Sequence, residues 1–375
     1  DFNDYRVFKD ASIQTMIFVI EKKKNPMMIY TANYYKVTDK KISKEELRNY
    51  LVTEKDGNKI QHFPAKIKVQ ESLNKTITFV NDENELILNK IHSKGNFFLK
   101  DEDIGNGIDV LQDFVSNDHL EILKNSSITK GSGIFVLTEE EAKKAKFNKH
   151  ELEKIKPYYT SEQLGKYYGN SENKYWLIYA DLYVRKHVDE YPHIKEHLDK
   201  FKKVLTSDFK PYGLHRPREQ KFFEGEKIFS LRKTKKVSFT YTDFPCYVSR
   251  AFLILKTSEI DLKYLTGFLN SKLIDFYLYH KGKKQGEQLQ VDKTPLLNLS
   301  IYKPNPNNDK EMKIQEEIIN LVDTILTINK NILGINLESE KNIHLKQIFS
   351  LEKRIDDLIY ELYDISDEEK IIMQS

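Results

Sequence analysis

Residues 131–137 read Gly-Ser-Gly-Ile-Phe-Val-Leu. The glycines make a tight turn, and the unbroken apolar run that follows reads as a buried strand. Further along, Trp176-Leu-Ile-Tyr179 reads the same way, and Phe229 to Val237 and Cys246 to Leu255 add strands. Tyr191-Pro192 opens a helix, with Ile194, Leu198, Phe201 and Leu205 at helical spacing. Pro192 suits its first turn, where a missing N–H costs nothing. Asp261 to Tyr279 reads as one long helix, with Leu262, Leu265, Leu269, Leu273 and Phe276 on one face. Residues 96–305 therefore read as a single α+β unit with a mixed sheet.

Outward from this unit, Lys303-Pro-Asn-Pro-Asn-Asn-Asp309 reads as a linker and the clearest boundary in the chain. Residues 306–375 follow as a helical arm. One helix puts Ile314, Ile318, Leu321, Val322, Ile325 and Ile328 on a seam, and a second uses Leu351, Ile355, Leu358, Ile359 and Leu362. Upstream, residues 1–24 read as two short strands, the second apolar on both faces from 16 to 20 and so buried. Met27 to Lys36 reads as another strand, closing a first segment at 1–36. Lys44 begins a short helix inside a mixed, polar connecting segment, 37–95. There is no internal repeat of 20–50 residues.

The 375 residues suggest two to three domains and ample material for a core. With 39% apolar and 31% charged residues the composition is that of a soluble globular protein, not a disordered one. No apolar run reaches the roughly 18 residues of a membrane span, so no membrane partner is expected. The first 20 residues lack a signal-peptide pattern, and the Asp1 start without Met reads as a cut or processed end. The single cysteine, Cys246, excludes an intramolecular disulfide framework and a multi-cysteine zinc site. A cytoplasmic location is the expectation.

Charge is unevenly spread. Residues 201–300 hold 19 basic against 10 acidic side chains, a net +9, and residues 301–375 hold 9 against 15, a net −6. Of 8 arginines in the chain, Arg216, Arg218, Arg232 and Arg250 fall within 35 residues. Arginine is the residue for bidentate phosphate and guanine contacts. A basic block beside an acidic helical tail points to a polyanion partner; a solvated face in a Lys-rich protein is the competing reading.

Catalytic signatures are missing. Neither GxGxxG nor GxxxxGK[ST] occurs, and Gly105-Asn-Gly107 and Gly131-Ser-Gly133 read as turns. His193 and His197 have a metal-compatible i, i+4 spacing but no evident third ligand. Cys246, in an aromatic strand, reads as a small core residue. The sequence by itself predicts no catalytic residue, no metal and no cofactor in this chain.

The positive signal is aromatic residues interleaved with basic ones. Lys156-Pro-Tyr-Tyr159, Lys166-Tyr-Tyr168 and Lys174-Tyr-Trp176 recur within 21 residues. Tyrosine offers a stacking face and a hydroxyl that reaches phosphate, arginine reads guanine, and glutamine reads adenine. The candidate DNA contacts are Lys130, Tyr158, Tyr159, Lys166 and Tyr167, then Arg216, Arg218, Arg232, Lys236 and Arg250. Lys281, Lys283, Lys284, Gln285 and Gln288 join them in a loop hinged at Gly282 and Gly286. The competing reading is strand-packing tyrosines with snorkelling lysines.

Asp1-Phe-Asn-Asp-Tyr-Arg-Val-Phe8 followed by Ala11-Ser-Ile-Gln-Thr15 resembles the end of the catalytic domain of N6-adenine DNA methyltransferases. In order come Ile104-Gly-Asn-Gly-Ile-Asp-Val-Leu-Gln-Asp-Phe114, Gly133-Ile-Phe-Val-Leu-Thr138, Glu153-Lys-Ile-Lys-Pro-Tyr-Tyr-Thr160, Asn173-Lys-Tyr-Trp-Leu-Ile-Tyr179, His215-Arg-Pro-Arg218 with Glu226-Lys-Ile228, and Leu269-Asn-Ser-Lys-Leu273. That order is similar to the target-recognition region of TaqI-like methyltransferases and type IIG restriction-modification enzymes. Leu351-Glu-Lys-Arg-Ile-Asp-Asp-Leu-Ile-Tyr-Glu-Leu-Tyr363 resembles their C-terminal helix. The family's Asn-Pro-Pro-Tyr/Phe motif and its Gly-rich S-adenosylmethionine loop are absent; the nearest match is Asn25-Pro26-Met27.

The resemblance implies that 1–36 are the last strands of a methyltransferase catalytic domain and 96–305 a DNA target-recognition domain. It implies duplex DNA and that catalytic domain as partners, with S-adenosylmethionine bound in the parent enzyme and not here. The target would be an adenine flipped and methylated at N6. Two alternatives stay open: a separate specificity subunit of a restriction-modification complex, and a protein-interaction scaffold with no DNA role.

Overall fold

A computed structural model describes residues 1–10, 15–22, 29–53, 57–68, 77–205, 212–285 and 288–373. In chain order the elements are β1 (Ile29–Val37), α1 (Lys44–Thr53), β2 (Ile60–Lys68), α2 (Asp82–Lys94), β3 (Ile104–Asn106), β4 (Val136–Thr138), β5 (Ile155–Tyr159), β6 (Tyr167–Tyr168) and β7 (Tyr175–Ile178). Then come α3 (Pro192–Asp199), β8 (Lys227–Leu231), β9 (Lys233–Thr234), β10 (Phe239–Thr242), β11 (Tyr247–Val248), β12 (Phe252–Leu255), α4 (Leu262–Leu269) and α5 (Lys272–Lys281). A hairpin of β13 (Lys283–Gln285) and β14 (Gln288–Gln290) leads to the long helices α6 (Asp309–Ile332) and α7 (Glu338–Tyr363). The fold class is α+β with mixed sheets and a C-terminal helical stretch.

A five-stranded sheet in the order β3-β12-β8-β10-β6 divides the molecule. Its strand β12, Phe252–Leu255, is apolar without alternation because both faces are covered. Phe229 and Ile254 point into one core and Ile228, Leu253 and Leu255 into the other. The first core is closed by the four-stranded sheet β11-β5-β7-β4 and by Ile194 and Leu198 of α3. The second is closed by α2, α4, α5, α6 and α7. A small third core gathers Val37, Leu47, Tyr50 and Ile60 around the β1-β2 pair.

The two C-terminal helices pack as their seams require. Ile314, Ile318, Val322 and Ile325 of α6 and Ile355, Leu358 and Ile359 of α7 are buried in the same core as α4. Gly267 of α4 makes the close approach possible: a Cβ there would meet Ile318 Cγ2 at 2.8 Å and Val322 Cγ2 at 3.1 Å. The Pro/Asn stretch before α6 is thus a surface loop on one packed body. Inside the stretch read as a connecting segment, α2 buries Ile87 and Ile91 in that core as well.

Four expectations need correction. The run at 16–20 is not a buried strand: Val19 is 98% and Ile20 85% exposed. A strand apolar on both sides needs a layer on each, and nothing among the described residues covers this one; Ala11 to Gln14 and Met27-Met28 lie outside them. The helix expected over 261–279 is broken at Asn270-Ser271. There the Asn270 amide accepts from the Phe239 N–H at 2.9 Å and donates to its carbonyl at 2.8 Å. That side chain serves the backbone of β10, which ends one helix and starts the next. The glycine-hinged loop 281–288 is instead the β13-β14 hairpin, joined by β14 to β9. Finally, Tyr158, Tyr159 and Tyr167 are core residues, 3%, 3% and 1% exposed, and offer no stacking face.

Among the described residues no helix is long and apolar enough to cross a membrane.

Candidate nucleic-acid interface

Segments far apart in sequence are joined by backbone hydrogen bonds into one ladder. The Asp109 N–H donates to the Arg216 carbonyl at 3.1 Å, and the Arg216 N–H returns to Asp109 at 3.2 Å. On the other side of the same segment, the Ile108 N–H donates to Val248 at 2.8 Å, and the Arg250 N–H donates to Ile108 at 2.7 Å. Next, the Arg232 N–H donates to Ala251 and the Val291 N–H to Arg232, each at 2.8 Å. Lys233 and Lys283 then both pair with Gln290 across β9, β14 and β13. Gly107 permits the tightest of these approaches, since a Cβ there would lie 2.0 Å from the Ser249 carbonyl oxygen.

This ladder lines a cleft of about 640 Å³ whose walls include Asp109, Leu111, Asp113, Arg232, Lys233, Arg250 and Gln290. Arg232 is fixed in it: its guanidinium donates to Asp292 at 2.9 Å and to Asn106 at 3.2 Å. Burial disfavours the Asp292 carboxylate, but the hydrogen bonds from Arg232 and Gln290 outweigh it and hold the group below the usual range. Arg250 is 66% exposed and only loosely tied to Asp109, at 3.4 Å. Arg216 is exposed.

Arg218 is constrained. Its φ is +65°, in the left-handed region that non-glycine residues rarely occupy. Its carbonyl accepts from the Tyr179 hydroxyl at 2.8 Å, and its Nε is buried without a hydrogen-bond partner. Burial and the neighbouring Arg216 and Arg232 lower its pKa. Leu111, with φ +63° and 47% exposure, is a strained position on the cleft itself. Strain of this kind persists only where surrounding structure enforces it, and it clusters at functional sites.

The other candidates scatter. Lys130 and Lys236 are exposed and do not line the cleft. Lys166 is paired with Glu352 of α7, so it ties the helices to the sheet. Lys281 donates to Thr78 at 3.1 Å. Lys283 is 70% exposed and lies 3.7 Å from Asp292. Gln288 is exposed on β14. The side chains of Lys284 and Gln285, and Gly286, lie outside the described residues. The two histidines do separate work: His193 Nδ1 meets Glu151 at 2.7 Å and His197 Nε2 the Ile134 carbonyl at 2.9 Å. Burial lowers the His197 pKa, so at neutral pH its ring is neutral and donates to that carbonyl. Cys246 is fully buried, as its sequence context implied.

Asp109, Asp113, Gln290 and Asp292 were not among the contacts expected from the sequence. Asp109 and Asp113 lie, with Gly107, in the 104–114 stretch that belongs to the motif order quoted above, which was the available signal.

Residues 156–299 match the family model of the TaqI-like C-terminal specificity domain. That stretch is similar to a TaqI-like specificity domain. Within it fall Arg216, Arg218, Arg232, Arg250, Lys283 and Gln290, while Asp109 and Asp113 reach the cleft from upstream. No curated protein matches the sequence. Among solved structures, the type IIL restriction-modification enzyme MmeI, in complex with DNA, matches with a TM-score of 0.50 at 11% identity, over 84% of this chain and 38% of that one. The type IIG restriction endonuclease BpuSI matches with a TM-score of 0.38 at 11% identity, over 92% of this chain and 41% of that one. The chain thus spans about two fifths of the length of either enzyme. The likeness to MmeI shows a shared fold over residues 156–299 and the elements that flank them.

Proposed function

We propose that the chain recognises duplex DNA in a sequence-specific way on behalf of a restriction-modification enzyme. The observation that carries this is a cleft walled by Arg232 and Arg250, with Arg216 tied by backbone hydrogen bonds to Asp109 of its wall, three of the chain's eight arginines on one ladder. Forks held on a backbone ladder are what bidentate contact with phosphate or guanine requires. The specificity-domain match at 156–299 supports the same reading.

In this reading the recognised sequence contains an adenine that is methylated at N6 from S-adenosylmethionine. Cofactor binding and methyl transfer belong to a catalytic domain that is not in these 375 residues. That domain and the DNA are the partners, and the cytoplasm is the place of action.

Titrating the chain against labelled duplex at increasing salt tests the reading. The logarithm of affinity should fall linearly with the logarithm of salt, each phosphate contact adding about 0.9 to the slope. Lys236→Ala should weaken all sequences alike, and Arg216→Ala should weaken the selected sequence most. A flat salt response, or no binding at low salt, would refute it.

A further inference from the structure

In a cleft lined by Arg232, Lys233 and Arg250, the Asp113 carboxylate stands out. Its neighbour Asp109 has cationic groups nearby, Arg250 at 3.4 Å from its carboxylate and His215 Nε2 at 3.9 Å. Arg232 satisfies Asp292. The Asp113 side chain lines the cleft half-buried, and no group among the described residues donates a hydrogen bond to it. Its main-chain carbonyl accepts from the Ile134 N–H at 2.9 Å and the Val136 N–H at 3.3 Å, so the loop position is held by contacts other than the carboxylate. Burial, then the charge of Asp109, pushes its carboxyl above the usual range, with Arg250 opposing. A half-buried acceptor in that condition gains most when a donor arrives from outside.

A phosphate cannot be that ligand, because it brings no donor and is repelled by the carboxylate. In the major groove the donors are the exocyclic amino groups of cytosine and adenine. The flanking fork decides between them. A guanidinium suits the paired O6 and N7 acceptors of guanine, whereas adenine sets its amino group beside a single acceptor, an arrangement suited to an amide. Arg250, exposed and loosely held, is the fork within reach of the same cleft.

We infer that Asp113 and Arg250 together read one G·C pair, the Asp113 carboxylate accepting from cytosine N4–H while Arg250 donates to guanine O6 and N7. This rests on the DNA-recognition reading above and assigns a base pair within it.

The test uses the full chain. Preferred duplexes are selected from a randomised pool by the unaltered protein and by Asp113→Ala. Each cytosine of the preferred duplex is then replaced singly by 2-pyrimidinone, which lacks only the N4 amino group. At one cytosine the unaltered protein should lose about 5- to 150-fold in affinity. Asp113→Ala should bind parent and analogue equally, and its selected motif should be degenerate at that pair. Asp113→Asn, which keeps the volume, should relax the same position and serves if the alanine variant melts early.

The inference fails if the unaltered protein tolerates the analogue everywhere or if Asp113→Ala keeps its motif. Uniform tightening on all sequences with an unchanged motif also overturns it, since Asp113 would then merely repel phosphate. Those outcomes leave the DNA reading standing; absence of salt-dependent duplex binding by the unaltered protein removes both.

Discussion

Glu151→Ala should lower the free energy of unfolding by about 3–5 kcal/mol, the usual result of breaking a buried, hydrogen-bonded charge site. The Glu151 side chain is 0% exposed. Its carboxylate accepts from the backbone N–H of Asn148 at 2.9 Å, of His193 at 2.7 Å and of Ile194 at 3.1 Å, and meets His193 Nδ1 at 2.7 Å. His193 and Ile194 stand in the first turn of α3, where N–H groups have no partner within the helix. Pro192 removes one orphan, and Glu151 takes the next two from a distance. A carboxylate there also complements the helix dipole.

Burial alone would raise the Glu151 pKa, but these hydrogen bonds outweigh it and hold the group below the ordinary range. Its contribution is therefore present above an unfolded value of about 4.3 and is lost as pH falls through the folded one. Denaturant melts at pH 7 measure the loss. A change under about 1 kcal/mol would mean that water replaces the carboxylate without cost.

Asp356→Asn should act the other way, stabilising the protein at pH 8 by about 3 kcal/mol and hardly at all at pH 4. Asp356 is 7% exposed on α7 and accepts from the Lys272 N–H at 2.8 Å, capping α5. Burial raises its pKa to about 6, against the pull of Lys272 and Lys166 and with help from Glu352. Because the folded value lies above the unfolded one, the protein loses stability as pH rises from about 4 to 6. The amide keeps the acceptor for Lys272 and removes the charge. The comparison is the difference between variant and parent melts across that window. A variant less stable at both pH values would show that the ionised carboxylate is worth its burial.

Much of the architecture was legible because burial on two faces leaves a plain mark. Ile134 to Leu137, Phe252 to Leu255 and the seams of α6 and α7 lack polar alternation or keep helical spacing, and they form the cores. The break at Asn270 was not legible, since an asparagine that serves a strand 31 residues away looks like any helix asparagine. The arginine cluster was half legible. Four arginines within 35 residues were visible, but the ladder that unites three of them runs through residues 108, 216, 232, 250 and 290. Asp109 and Asp113 come from a segment that carries no basic residue to mark it. Tyrosines beside lysines misled because the same pairing suits a packed ring under a snorkelling cation: Lys166 lies 5.4 Å over the Tyr167 ring.

Cys246 is fully buried and burial pushes its thiol up, so a cysteine introduced at the surface is the reactive one. Leu111→Cys would carry an iron chelate at the arginine cleft, and Leu345→Cys, at a residue of similar exposure on α7, would carry it away from the cleft. With a preferred duplex bound, the chelate at position 111 should cut one short stretch of DNA and the chelate at position 345 none. Equal cutting from both positions, or cutting from 345 alone, would contradict the assignment of the cleft as the surface that reads DNA.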